Sequence, residues 1–184
     1  MELMKCGYNY LDETAAFYGR VVNHLEKTVN YPKWTKNYPN RESVEASICR
    51  GEQYIYLDDG KVAGAVVLNE EPGGDYEAGD WSVQLSRGEY LVIHTFAVEP
   101  AARGKGLGSR MADACIDIAR EEGYKAIRLD VVPGNAPAIH LYKRKGFTYA
   151  GTKDLSRKIE DIPVFELYEL NIACTRVRDV LEKH

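Results

Sequence analysis

The six residues RGKGLG, Arg103 to Gly108, stand between an apolar run, LVIHTFAV (91–98), and an amphipathic one, SRMADACIDIAR (109–120). Three glycines in six positions are costly in chain entropy unless the backbone needs positive φ or close approach there. Two nucleotide-binding signatures can be set against the spacing. The dinucleotide fingerprint requires G-x-G-x-x-G, whereas Gly104, Gly106 and Gly108 fall on G-x-G-x-G; a Walker loop requires Lys followed by Ser or Thr, whereas Lys105 is followed by Gly106. What remains is a strand running through a glycine turn into a helix N-terminus, whose free amides and positive dipole end suit an anion such as a pyrophosphate. A purely structural strand-to-helix turn is the alternative, because any tight turn can use glycine.

Downstream, Leu107, Met111, Cys115, Ile118 and Ala119 mark the buried stripe of a helix that ends at Gly123. KAIRLDVV (125–132) sets Ile127, Leu129 and Val131 against Arg128 and Asp130, the alternation of a half-buried strand. Asn135 is a suitable N-cap and Pro137 suits a first turn, giving a further helix that closes at Gly146. FTYAG (147–151) and PVFELYEL (163–170) pair as antiparallel strands around the polar loop TKDLSRKIED (152–161), and Ile172, Val177, Val180 and Leu181 line one side of a terminal helix at about 172–184. Upstream, Leu11, Ala15, Tyr18, Val22, Leu25 and Val29 recur at helical steps, and Asn40 caps a short helix through Val44 and Ile48, stopped by Gly51. QYIYL (53–57) and KVAGAVVL (61–68) flank DDG, hairpin chemistry, and a long acidic connection, NEEPGGDYEAGDWSVQLSRG (69–88), leads into the strand EYLVIHTFAV. Hairpins at both ends and a strand–helix–strand crossover in the middle predict an α/β (α+β) class. The sheet is mixed, mostly antiparallel and twisted, with six to seven strands flanked by four to five helices.

The chain of 184 residues is read as a single domain, 1–184. Its 45% hydrophobic and 28% charged content is that of an ordinary soluble globule, and a formal net charge of −4 with scattered cations gives no nucleic-acid footprint. The N-terminal stretch lacks the apolar core of a signal peptide and no run approaches a membrane span, so no membrane partner and a cytoplasmic location are expected. Cys6, Cys49, Cys115 and Cys174 are widely spaced without a CxxC pair, which argues against a zinc site or disulfide framework and for small buried or half-buried residues; no metal is expected.

FAVEPAARGKGLGSRM (96–111) resembles the coenzyme-A-binding segment of the GCN5-related N-acetyltransferases, with the pattern [QR]-x-x-G-x-[GA] met by Arg103, Gly106 and Gly108. IRLDVVPGNAPAIHLYKRKGF (127–147) is similar to the family's next strand and helix, through Asn135, Tyr142 and the Gly146–Phe147 pair; the likeness is strong over Tyr90 to Ala150. The resemblance implies the acyl-CoA N-acyltransferase fold and acetyl-CoA as donor. Backbone amides of Arg103, Gly104, Lys105, Gly106, Leu107, Gly108 and Ser109 would cradle the pyrophosphate. The main chain of Phe96, Ala97 and Val98 would hold the pantetheine arm, Asn135 would face the cofactor, and Tyr142 would both contact it and donate a proton to the departing thiolate. A bulge in the 90–98 strand would splay it from its neighbour and aim an amide at the thioester carbonyl.

For the base, His94 is the candidate, since imidazole titrates near neutrality, against the plain alternative of a hydrogen-bonded core histidine; Glu89 and Glu99 are weaker candidates. The family fold implies that Tyr31, Trp34, Tyr38 and the 152–161 loop wall the acceptor, while Glu70, Glu71, Asp75, Glu77 and Asp80 would steer a cationic amine or form a solvated loop. The leading function is acetyl transfer to a small-molecule amine. A protein N-terminal or lysine acetyltransferase and a non-catalytic acyl-CoA sensor are the alternatives. The terminal helix either packs on its own domain or pairs two copies as a homodimer.

Overall fold

The computed structural model describes residues 2–172. The elements run β1 (Leu3–Lys5), α1 (Leu11–Glu26), α2 (Arg41–Cys49), β2 (Gln53–Asp58), β3 (Lys61–Asn69), β4 (Tyr90–Val98), α3 (Leu107–Glu121), β5 (Ala126–Val131), α4 (Ala136–Arg144), β6 (Thr148–Lys153) and β7 (Phe165–Asn171). The seven strands form one sheet in the order β1-β2-β3-β4-β5-β7-β6. Every pairing is antiparallel except β4 with β5. The predicted mixed, mostly antiparallel sheet is therefore present. A crossover helix, α3, joins its one parallel pair, as parallel neighbours require.

The period-2 alternation sorts side chains onto two faces. On β2 and β3, Tyr54, Tyr56, Ala63, Val66 and Leu68 pack with Met111, Cys115 and Ala119 of α3, whereas Ile55, Val62 and Ala65 meet Phe17, Tyr18 and Val21 of α1. A third cluster covers the α1 side farther along, where Tyr76 and Trp81 of the 69–88 connection close over Tyr90, Val92, Leu155 and Phe165.

Local chemistry sets the helix limits. Asn40 Oδ1 accepts from the Ser43 amide at 3.0 Å while Ser43 Oγ accepts from the Asn40 amide at 2.9 Å, a reciprocal cap for α2. At the N-terminus of α4, the Ala138 amide donates to Asn135 Oδ1 at 3.4 Å.

Several expectations change. The buried face of α1 runs through Phe17 and Val21 instead of Ala15, and Val29 lies beyond the helix end and is exposed. The short strand β1 carries too few residues for a periodic signal and was not predicted. Strand β5 is covered on both faces, because Arg128 lies buried between the rings of Trp81 and Tyr90, 4.2 and 4.4 Å from its guanidinium carbon. Cys49 is exposed, unlike Cys6 and Cys115. The acidic connection is not free charge: Glu71 pairs with Arg87, Asp80 with Lys153, and Glu70 accepts from Tyr124 Oη. The predicted terminal helix falls outside the described residues. Among the described residues no helix is long and apolar enough to cross a membrane.

Candidate active site

The cleft originates where β4 and β5 stop pairing. Strand β4 faces β5 only at Tyr90, Leu91 and Val92, opposite Ala126, Ile127 and Arg128. Beyond that point the two strands diverge, and a cavity of about 1320 Å³ opens between Ile93 to Val98 on one side and Leu129 to Val132 on the other. Its size exceeds the roughly 300–1,000 Å³ of pockets for drug-sized ligands.

A bulge on β4 shapes one wall. Ala65 faces Ala97 but Val67 faces His94, so β4 carries one residue more than β3 across that step. The extra residue reverses the alternation: Leu91 and Ile93 point to the α3 face, and after the bulge so do Phe96 and Val98, while Ala97 turns to α1. Thr95 sits at the bulge with φ of 45°.

At one end of the cleft lies the glycine turn. Gly104 and Gly106 have φ of 77° and 75°, a region L side chains enter at a cost, which explains both glycines. Within α3, Arg110 is the first residue whose amide reaches back, to Gly106 O at 3.1 Å, so the amides of Gly106 to Ser109 are the orphan donors of a helix start, whereas those of Arg103 and Lys105, expected in the cradle, donate to Pro100 O and Ala102 O at 3.3 Å. Gly108 lies against the cleft wall, where an added Cβ would stand 3.6 Å from Val98 and 3.8 Å from Leu141. Arg103, Gly104, Gly106, Leu107, Gly108 and Ser109 line the cleft; Lys105, which is exposed, does not.

Tyr142 lines the same cavity from α4. Its ring is held edge-on by Phe96 and Phe147, with centroids 6.0 and 5.4 Å away. Burial raises its pKa far above the ordinary phenol value, with the neighbouring Cys115 and Asp130 adding to the effect, so the hydroxyl keeps its proton. Asn135 lines the cavity one helix length away, as a cap rather than a helical residue.

His94 faces the other way along β4. Nε2 lies 3.0 Å from both Asn69 Oδ1 and Glu71 O. The Asn69 amide is oriented by Glu52, which accepts from Nδ2 at 3.3 Å, and by the Glu71 amide, which donates to Oδ1 at 3.1 Å. Two acceptors around Nε2 assign the proton there and leave the lone pair on Nδ1. Burial lowers the pKa of His94; Arg157 pushes the same way and Asp130 opposes. His94, Thr95 and Tyr38 also line a second cavity of about 320 Å³, bounded by Tyr18, Ser47 and Gln53, which meets the large cleft at these residues.

Tyr31, Trp34 and Tyr38, expected to wall an acceptor, line the large cleft together with Arg157 and Ile159 of the 152–161 loop. Arg157 donates from both terminal nitrogens to Asp130, each at 2.7 Å, and from Nε to Gly73 O, while Tyr76 Oη donates to Asp130 at 2.6 Å. Nothing in the sequence marks this cluster. Asp130 reads as the polar side of a strand, and nothing local ties it to a residue 27 positions away. The two alternative bases are committed elsewhere: Glu99 to Arg20 at 2.9 Å, and Glu89 to Lys125 at the far end of β4.

A model of the acetyltransferase (GNAT) family matches residues 19–147. Over 61 residues the chain is 44% identical to the streptothricin acetyltransferase of Streptomyces lavendulae, covering 33% of this chain and 32% of that one. Over 86 residues it is 36% identical to the L-methionine sulfoximine/L-methionine sulfone acetyltransferase of Salmonella typhimurium, covering 45% and 50%. The chain thus spans a third to a half of these relatives' length. A GNAT-family acetyltransferase structure from Streptococcus agalactiae superposes with a TM-score of 0.74 at 19% identity, covering 93% of this chain and 95% of that one, a likeness of fold.

Proposed function

The chain belongs to the acetyltransferase (GNAT) family, and on that premise we propose that it transfers the acetyl group of acetyl-CoA to the primary amine of a small molecule. The observation that carries this reading is the splay between β4 and β5, which leads from a helix N-terminus with orphan amides to a protonated tyrosine and a neutral histidine within one cavity. Acetyl-CoA supplies the thioester, activated toward attack by a neutral amine. The amides of Gly106 to Ser109 hold the pyrophosphate at the positive end of α3, and Gly108, lacking a Cβ, leaves them accessible. The main chain of Phe96 to Val98, unpaired toward β5, holds the pantetheine arm as a strand would.

His94 Nδ1 takes a proton from the incoming amine, directly or through water, while Nε2 stays bound to Asn69 and Glu71. An amide at the bulge stabilises the oxyanion as the N–C bond forms. As the C–S bond breaks, Tyr142 donates its hydroxyl proton to the sulfur, a role that fits a phenol held neutral by burial. Positioning supplies much of the rate, and no covalent enzyme intermediate is required.

Two features support a small acceptor. Tyr31, Trp34, Tyr38 and Ile159 line the cleft, and the relatives include proteins named for acetylating streptothricin and methionine sulfoximine. The test is release of free thiol from acetyl-CoA across amino acids, polyamines, aminoglycosides and short peptides. Turnover on a small amine with acetylated product is expected. Turnover confined to peptides would replace the acceptor class, and binding without turnover on any amine would make the protein a sensor.

A further inference from the structure

We infer that Tyr18 of α1 is a positioning residue that holds the β4 bulge, and with it the amides of Phe96 and Ala97, in the shape the cleft requires. Two costs meet at Thr95. A β-branched residue at φ of 45° is a genuine outlier, and its Oγ1 is buried without a hydrogen-bond partner among the described residues. Such a conformation persists only where the surroundings over-determine it. The surroundings here supply a directed contact from outside the sheet: Tyr18 Oη donates to Thr95 O at 2.9 Å. Tyr18 lies 77 positions away on a different element, fully buried between α1 and the sheet.

The ring of Tyr18 is fixed in turn. Phe17 packs against it at 5.2 Å and Trp34, an acceptor-wall residue, at 6.1 Å, both edge-on. Burial keeps the phenol protonated, so it remains a donor across the working pH range. The bond turns the Thr95 carbonyl toward α1 and secures the extra residue that reverses the strand's alternation. Without the bulge, Phe96 would face α1 rather than the ring of Tyr142, and the main chain beyond it would present the wrong edge to the cleft. That α1 residue thereby acts on the reaction through Thr95 without touching a ligand.

The inference bears on catalysis only through the transfer reading above, so its primary test needs neither acetyl-CoA nor an amine. Amide hydrogen exchange at Thr95, Phe96 and Ala97 is compared with that at Tyr90 to Val92 in the wild type, Tyr18→Phe, and the double variant Tyr18→Phe/Thr95→Gly. Removing the hydroxyl should raise exchange at the bulge about tenfold, the factor one hydrogen bond commands, with the paired end of β4 unchanged. Glycine takes positive φ without the steric cost, so the double variant should return bulge exchange to within about threefold of wild type. In turnover, Tyr18→Phe should lower kcat by about tenfold while the KM for acetyl-CoA moves less than about threefold, and the double variant should recover kcat. Unchanged bulge exchange in Tyr18→Phe, or a double variant no better than Tyr18→Phe, overturns the inference. A wild-type protein that turns over no amine removes the transfer reading and leaves the exchange result to decide this one.

Discussion

Replacing Gly108 with alanine should make the protein more stable and a poorer binder of acetyl-CoA. Gly108 is the second residue of α3 and, unlike Gly104 and Gly106, is absent from the positive-φ positions. An added Cβ would find Val98, Leu141 and Phe96 at 3.6, 3.8 and 3.9 Å, ordinary van der Waals separations, so no clash offsets the gain in helix propensity. In a helix interior that gain is about 0.5–1 kcal/mol; at this first-turn position it is at most that, an upward shift of up to roughly 4 °C in Tm for a chain of this size. The same methyl stands on the cleft side of the turn, where the pyrophosphate must approach the amides. Loss of one charge-assisted hydrogen bond, about 1.5–3 kcal/mol, weakens binding by about 10- to 150-fold. Calorimetric titration with CoA and thermal unfolding on the same preparation read both effects. Titration with pantetheine, which lacks the pyrophosphate, should show no loss. A Gly108→Ala protein that binds CoA as tightly as wild type would refute the phosphate placement.

Tyr142→Phe keeps the ring between Phe96 and Phe147 and should bind CoA normally, yet lose about 10²–10⁴ in kcat, read in the thiol-release assay. Because burial places the folded His94 pKa below its ordinary 6.5, the unfolded chain binds the extra proton first as pH falls. Stability therefore rises with pH from the folded pKa up to 6.5 and is lost below it. The acid limb of kcat/KM should likewise titrate below 6.5, and His94→Gln should abolish that limb and flatten the stability profile. Glu169→Ala would leave the Arg128 guanidinium, buried between Trp81 and Tyr90, without its carboxylate 3.6 Å away. Denaturant unfolding should register a loss of about 3–5 kcal/mol.

Elements with strong local signals were legible from sequence. The caps at Asn40 and Asn135, the stripe of α3 and the central crossover were all predictable, because each depends on residues within a few positions of one another. The glycine turn was legible for the same reason. What stayed hidden was set at a distance. Arg128 looks solvent-facing in KAIRLDVV and is buried only because Trp81 closes over it from the 69–88 connection. Asp130 gains its role from Arg157; the bulge that the resemblance implied for the 90–98 strand is present, but nothing in the apolar run places it at Thr95, since its hydrogen-bond partner is a tyrosine on α1. His94 was recognisable as a titratable group in a strand, but the proton on Nε2 is assigned only by Asn69 and Glu71 coming together around it.

The most direct measurement is a crystal structure of the protein grown with CoA. The pyrophosphate is expected on the amides of Gly106 to Ser109, the pantetheine arm against Phe96 to Val98 in the gap between β4 and β5, and the sulfur within hydrogen-bond reach of Tyr142 Oη. Density for CoA anywhere else, or a sulfur placed away from Tyr142, would contradict that placement.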